Sequence, residues 1–143
     1  MGVQTVEAIQ TRLLLLCRGP VDWTQASDGD PPLAAAGALD AELTAGALPH
    51  FDVIVASPQR ASQETAEAIA AQRRVAMDLR DGLDEIRSAT TVSDAAGYIG
   101  WLDDLFTAHA PLGAGESLAD GADRLTAALR AIGDRYYGRA TLV

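Results

Sequence analysis

Two arginines follow short apolar runs of this sequence, at positions where an α/β sheet would carry its chemistry. Arg18 comes shortly after Leu13–Leu16, and Arg60 comes after the β-branched run 51–56, FDVIVA. Uncharged runs of this length are typical of buried strands in parallel sheets, and such sheets place their functional groups at the carboxyl ends of the strands. We therefore expect Arg18 and Arg60 to face one cleft, where their planar guanidinium groups can hold a phosphate or a carboxylate.

Two carboxylates belong to the same group of candidates. Glu85 lies in the loop that follows a third short run, 75–79, and Asp22 lies in the loop after the first run. Either carboxylate can pair with Arg18, and such an ion pair would fill the cleft. Either can instead move protons as a general acid or base. The residues alone leave anion binding, a structural ion pair and acid–base chemistry open.

The remaining reactive side chains are few. Cys17 is the single cysteine, and a cysteine nucleophile of the phosphatase type needs an arginine six positions further on, where this chain has Trp23. We therefore expect Cys17 to be a small core residue. His50 is expected in a loop and His109 at the end of a helix. Two distant histidines and one cysteine do not form a metal site, so the sequence predicts no metal and no cofactor.

The elements that position these residues alternate along the chain. The predicted strands span 13–16, 51–56, 75–79 and 140–143, and the predicted helices span 33–48, 61–72, 93–109 and 118–136. The first helix has Leu39, Leu43 and Ala47 on one face, and the last has Ser117 as its N-cap and Gly138 as its stop. Repeated units of strand, loop and helix predict a parallel sheet with right-handed crossovers.

Composition limits the partners and the number of domains. A chain of 143 residues is expected to form one domain, 1–143, around one core. The formal net charge is −9 and every basic residue is an arginine, which disfavours nucleic acid and anionic membranes as partners but allows an anionic small molecule at a local arginine pair. No apolar run has the length of a membrane span, and residues 1–10 do not resemble a signal peptide, so a cytoplasmic protein is expected.

The order of several short motifs resembles that of the histidine phosphatase superfamily, which has the phosphoglycerate mutase-like fold. Each motif is short, and the resemblance depends on their shared order and spacing across nearly the whole chain. The matching segments are Cys17-Arg18-Gly19 after the first strand, Pro32 to Gly37, Ser57-Pro58-Gln59-Arg60 with the helix that follows, Leu83-Asp84-Glu85-Ile86, and Gly115-Glu116-Ser117. The resemblance implies a three-layer α/β/α sandwich around a mostly parallel sheet.

The resemblance also implies roles for individual residues. In this family the motif that Ser57 to Arg60 resembles supplies an arginine to the phosphate pocket, and the glutamate at the position of Glu85 is a proton donor in many members. Thr24 occupies a place where relatives often contribute a polar residue to the pocket. The implied ligand-binding residues are therefore Arg18, Gly19, Thr24 and Arg60, and Glu85 is the implied catalytic candidate.

Three departures from the family pattern bear on activity. The family's strand is followed by arginine, histidine and glycine, whereas Cys17 and Arg18 stand here in place of the first two. A guanidinium stays protonated and has no lone pair with which to attack phosphorus. The third departure is that the sequence stops at Val143, inside the strand that precedes the family's second histidine motif.

These departures predict a degenerate member, or pseudophosphatase, that binds an anionic or phosphorylated small ligand or a protein partner without phosphohistidine chemistry. One alternative is an enzyme that reuses the cleft for other acid–base chemistry, and another is a conventional phosphatase or phosphomutase. If the natural chain ends at Val143, the last strand would have little to anchor it, and a homodimer that completes the sheet is expected.

Overall fold

The computed structural model describes residues 8–86, 88, 91–108 and 115–143. Within these residues the strands and α-helices lie close to their predicted positions. In chain order they are β1 (Arg12–Leu14), α1 (Ala35–Ala47), β2 (Val53–Ala56), α2 (Arg60–Arg73), β3 (Ala76–Leu79), α3 (Ala95–Ala108), α4 (Leu118–Arg135) and β4 (Ala140–Leu142). A short 3₁₀ helix, Trp23–Gln25, follows β1.

The four strands form one parallel sheet in the order β1-β4-β2-β3. The prediction of an α/β fold with a parallel sheet flanked by helices is confirmed. The expectation that the last strand would lack an anchor is wrong, because β4 lies between β1 and β2 and all three of its residues are buried. Every residue of β2 is buried as well, as its uncharged, β-branched sequence predicts.

Helices α1 and α2 pack against each other through small side chains. The buried residues of α1 are Gly37, Ala41 and Ala45, whereas Leu39 and Leu43 are 55% and 66% exposed. The predicted leucine face of this helix therefore does not face the core. Because alanine and glycine have small side chains, the buried face of α1 lets the two helix backbones approach closely.

Helix α4 begins and ends as its sequence predicts. The Ser117 side chain accepts a hydrogen bond from the backbone N–H of Asp120, which satisfies one of the free donors of the first turn. The helix ends at Arg135, and Gly138 adopts a positive φ of 77°, a conformation that suits glycine. Among the described residues, no helix combines the length and the apolar character that crossing a membrane requires.

Candidate functional site

A cavity of about 410 Å³ opens near the carboxyl ends of the strands, and we call it the cleft. It is bounded by the loops that follow β1, β2 and β3 and by the first turns of α3. Its charged and aromatic lining residues are Arg18, Asp28, Asp30, Asp84, Glu85, Trp23, Tyr98 and Trp101. Both tryptophans of the chain are among them.

Arg18 and Glu85 form an ion pair across the cleft. The Nη2 atom of Arg18 lies 2.6 Å from Oε1 of Glu85, and the Arg18 side chain is only 22% exposed. A second guanidinium nitrogen of Arg18 donates to the carbonyl oxygen of Gly19 at 3.3 Å. The structure thus brings together two of the predicted site residues, and their contact is the structural ion pair that was one of the alternatives.

The second oxygen of Glu85 is also occupied. Tyr98, on α3, donates its hydroxyl proton to Oε2 at 2.8 Å. Burial raises the pKa of the Tyr98 phenol to about 12, and the hydrogen bond to Glu85 and the negative charge of that carboxylate act in the same direction. Tyr98 therefore stays a neutral donor at physiological pH, and Glu85 accepts from one cation and one hydroxyl group.

The raised pKa of Tyr98 predicts a loss of stability in alkaline solution. Below pH 10 the phenol is protonated in both the folded and the unfolded chain, so the folded state keeps its full stability. Between pH 10 and about 12 the unfolded chain releases this proton while the folded chain holds it, and unfolding is favoured. Because Tyr98 is only half-buried, we expect a loss of roughly 1 kcal/mol.

Urea denaturation at a series of pH values, for the wild type and Tyr98→Phe, measures this contribution. The free energy of unfolding of the wild type should fall more steeply above pH 10 than that of the variant. An equal dependence of the free energy of unfolding on pH in the two proteins would contradict a raised pKa of Tyr98.

Arg124 on α4 holds the loop that carries Glu85. Its guanidinium donates to the carbonyl oxygens of Gly82, Asp84 and Glu85 at 2.9, 3.0 and 3.2 Å. It also forms a two-bond ion pair with Glu116, with both N–O distances at 2.7 Å. The hydrogen bond to Glu116 is the main reason that the pKa of Arg124 is raised. This clamp was not predicted, because nothing in the sequence links Arg124 to the distant loop.

Arg60 does not join Arg18 in the cleft. It is the first residue of α2, and its Nε donates to Glu64 one helical turn further on, at 3.0 Å. Its backbone N–H lies 3.0 and 3.1 Å from the two carboxylate oxygens of Asp30. The neighbouring Ala61, not Arg60, lines the cleft. Arg60 is therefore not among the residues that line the cleft, and its binding of an anion together with Arg18 stays a prediction.

Gly19 has a structural environment of its own. A Cβ atom added to Gly19 would lie 2.8 Å from Cα of Gly37 on α1. This contact holds the loop after β1 against α1, so Gly19 serves close packing between backbones. Contact between the Gly19 backbone and a ligand stays a prediction.

Thr24 is exposed and is not among the residues that line the cleft. Its hydroxyl and its backbone N–H both donate to Oδ1 of Asp22, at 2.6 and 3.0 Å. Together with a hydrogen bond from Gln25, these contacts hold the pKa of the Asp22 carboxyl below its ordinary value. Asp22 caps the 3₁₀ helix and does not pair with Arg18.

Cys17 and the histidines differ in how well they match expectation. The prediction that Cys17 is a core residue is wrong, because Cys17 is exposed and lies beyond the paired residues of β1, which end at Leu14. His50 lies in an exposed loop 3.1 Å from Asp52, and His109 lies outside the described residues. In the part of the chain that the structure describes, no three potential metal ligands cluster.

The aromatic residues of the cleft were missed as a group. Tyr98 was expected on a helix, but nothing in a sequence pattern places Trp23 beside it. The only available signal was rarity, because the chain has just seven aromatic residues of the Phe, Trp and Tyr types.

Comparison with known proteins agrees with this architecture. YhfR of Bacillus stearothermophilus shares 26% sequence identity and a TM-score of 0.75, covering 93% of this chain and 72% of that one. A histidine-to-alanine variant of phosphoserine phosphatase from Entamoeba histolytica, in complex with phosphoserine, shares 21% identity and a TM-score of 0.74, over 93% and 72% of the two chains. The alpha-ribazole phosphatase of Shigella flexneri shares 19% and 0.68, over 92% and 71%.

The amino-acid sequence by itself also identifies the family of this chain. A search of the curated proteins finds no match to this chain. The model of the histidine phosphatase superfamily, branch 1, matches residues 13–143, which is most of the sequence and includes every strand and helix described above except the first residue of β1. The chain therefore belongs to the histidine phosphatase superfamily.

Proposed function

We propose that this protein binds a small molecule in the cleft and carries out no phosphoryl transfer through a phosphohistidine. The observation that supports this proposal is the ion pair of Arg18 with Glu85, 2.6 Å long. Arg18 stands after β1 where the family resemblance predicts the histidine, and a guanidinium cannot be phosphorylated in the histidine's place because it has no lone pair to offer.

The contacts of the carboxylates weigh against acid–base chemistry in the same cleft. Both oxygens of Glu85 accept hydrogen bonds, one from Arg18 and one from Tyr98, so a substrate would have to compete with these two donors for the carboxylate. Asp22 has a lowered pKa and lies outside the cleft lining. A general acid at neutral pH needs a raised pKa and access to the substrate.

The conventional phosphatase remains the alternative to be tested, because two of the similar structures are named as phosphatases. One of them holds phosphoserine in a histidine-to-alanine variant. In that protein, ligand binding therefore persists after a histidine is removed. This precedent supports the idea that a member of the fold can bind a ligand without phosphohistidine chemistry.

The test combines turnover with binding on the same purified protein. The turnover assay uses p-nitrophenyl phosphate and phosphoserine, and thermal unfolding is followed with phosphate, sulfate and a panel of small metabolites, since a ligand of the native state raises the melting temperature. We expect no turnover and at least one ligand-dependent shift. Arg130→Gln, a change at an exposed position on α4, is the control for unspecific charge effects.

Two results would overturn the proposal. Turnover that Arg18→Leu abolishes and Arg130→Gln preserves would show that the cleft is catalytic. An unchanged melting temperature with every compound of the panel would contradict small-molecule binding and would favour a role as a protein-binding scaffold. The double substitution Cys17→Arg with Arg18→His restores the family motif after β1, and we expect it to remain inactive because it restores only the first of the family's two histidine motifs.

A further inference from the structure

The cleft contains a row of three aromatic rings. The ring centroids of Trp23 and Tyr98 lie 5.3 Å apart, and those of Tyr98 and Trp101 lie 5.9 Å apart, with interplanar angles of 38° and 37°. All three side chains are partly buried and line the cavity. The faces of aromatic rings carry negative electrostatic potential, and a cation placed over such a face is attracted to it.

Most of the charged side chains around this row are negative. Among the described residues that line the cleft, four are carboxylates and one is a guanidinium, Arg18. The charge of Arg18 is already balanced by Glu85 at 2.6 Å. Asp30 accepts from the backbone N–H of Arg60 at the N-terminus of α2, a contact that partly offsets its negative charge. Low-dielectric walls around such a cavity focus the field of these carboxylates inward.

We propose that the ligand of the cleft is a small organic cation, an amine or a quaternary ammonium compound. This inference rests on the proposed function, namely that the cleft binds a small molecule. The cationic head packs on the row formed by Trp23, Tyr98 and Trp101, and the carboxylates at the cavity rim, Asp28 among them, supply the opposite charge. The volume of about 410 Å³ lies within the range of small-molecule sites.

This ligand class differs from the one that the sequence predicts. An anion in the cleft would need Arg18 and Arg60 together, yet Arg60 is bound to Glu64 outside the cavity. An anion would also have to displace Glu85 from Arg18 and lie beside the remaining carboxylates. A cation requires neither rearrangement.

Choline and its uncharged analogue, in which carbon replaces the ammonium nitrogen, form a matched pair of probes. Titration calorimetry and tryptophan fluorescence on the wild type compare the two, because both tryptophans line the cleft. We expect choline to bind at least about tenfold more tightly than the analogue, and we expect its affinity to fall as salt concentration rises. Equal affinity for both probes, or tighter binding of inorganic phosphate than of choline, would overturn the inference.

Variants then locate the site. Trp101→Leu removes one ring and Asp28→Asn removes one charge, and each should weaken choline binding about fivefold. Asp103→Asn, on the exposed part of α3 outside the cleft lining, is the control and should leave the affinity unchanged. Unchanged choline affinity in all three variants would contradict the placement of the ligand on the aromatic row of the cleft. Phosphatase turnover in the wild type would overturn the proposed function, whereas absence of turnover without choline binding would overturn this inference alone.

Discussion

Replacing Arg124 with methionine is expected to lower the free energy of unfolding by about 3–5 kcal/mol. The side chains of Arg124 and Glu116 are only 16% and 12% exposed, and the substitution removes both hydrogen bonds that the Arg124 guanidinium donates to the Glu116 carboxylate. It also removes the donors that the carbonyl oxygens of Gly82, Asp84 and Glu85 accept from. Urea denaturation followed by circular dichroism measures the loss.

Arg130→Met is the matched control on the same helix, because Arg130 is exposed, and it should change stability by less than about 0.5 kcal/mol. If Arg124→Met does not fold, Arg124→Lys provides the measurement. A lysine keeps the charge but cannot reach Glu116 and the carbonyl oxygens at once, so an intermediate loss is expected. A loss no larger than that of Arg130→Met would show that the clamp does not stabilise the Glu85 loop.

Replacing Gly37 with alanine is expected to cost about 2–3 kcal/mol. The added Cβ atom would overlap the carbonyl oxygen of Pro20 and would lie 3.2 Å from the Pro20 nitrogen and 3.0 Å from a methyl carbon of Leu33. Two of these three atoms belong to the backbone, which cannot rotate out of the way as a side chain can. The loop that carries Arg18 would have to move away from α1, so ligand binding in the cleft should weaken together with stability.

The control for this substitution is Gly133→Ala on α4, where no atom lies within 4 Å of the added Cβ. Alanine favours helix more than glycine does, so this variant should be more stable than the wild type by up to about 1 kcal/mol. Thermal and urea denaturation of the two variants should give changes of opposite sign. Similar stabilities for both would mean that α1 and the loop after β1 do not depend on their close contact.

The strands and helices were predictable because each has a local signal. The β-branched run 51–56, uncharged after Asp52, predicts a buried strand, and Ser117 and Gly138 mark the two ends of α4. The buried face of α1 was predicted wrongly because hydrophobic spacing favours Leu39 and Leu43, whereas the partner helix admits only small side chains. Size complementarity between two helices is a property of the pair and is not visible in either sequence segment.

The cleft was predictable only in part. Arg18 and Glu85 both follow strands, and their pairing was one of the alternatives that the residue types predict. The position of Arg60 could not be predicted, because successive residues of a helix point about 100° apart and the first turn of α2 directs Ala61, not Arg60, to the cavity. The contact of Trp23 with Tyr98 joins segments that are far apart in the chain.

The order of the strands in the sheet differs from the order in which they are synthesised. β1 is made first among the strands, yet its partner in the sheet is β4, with Arg12 opposite Ala140. β2 and β3 lie close together in the sequence and pair with each other, so they can pair before β4 is made, whereas β1 can pair only after β4 has left the ribosome. Joining segments so far apart makes loop closure slow, and the waiting strand exposes an open edge to other chains. Translation speed over the last third of the chain should therefore influence how much protein folds correctly.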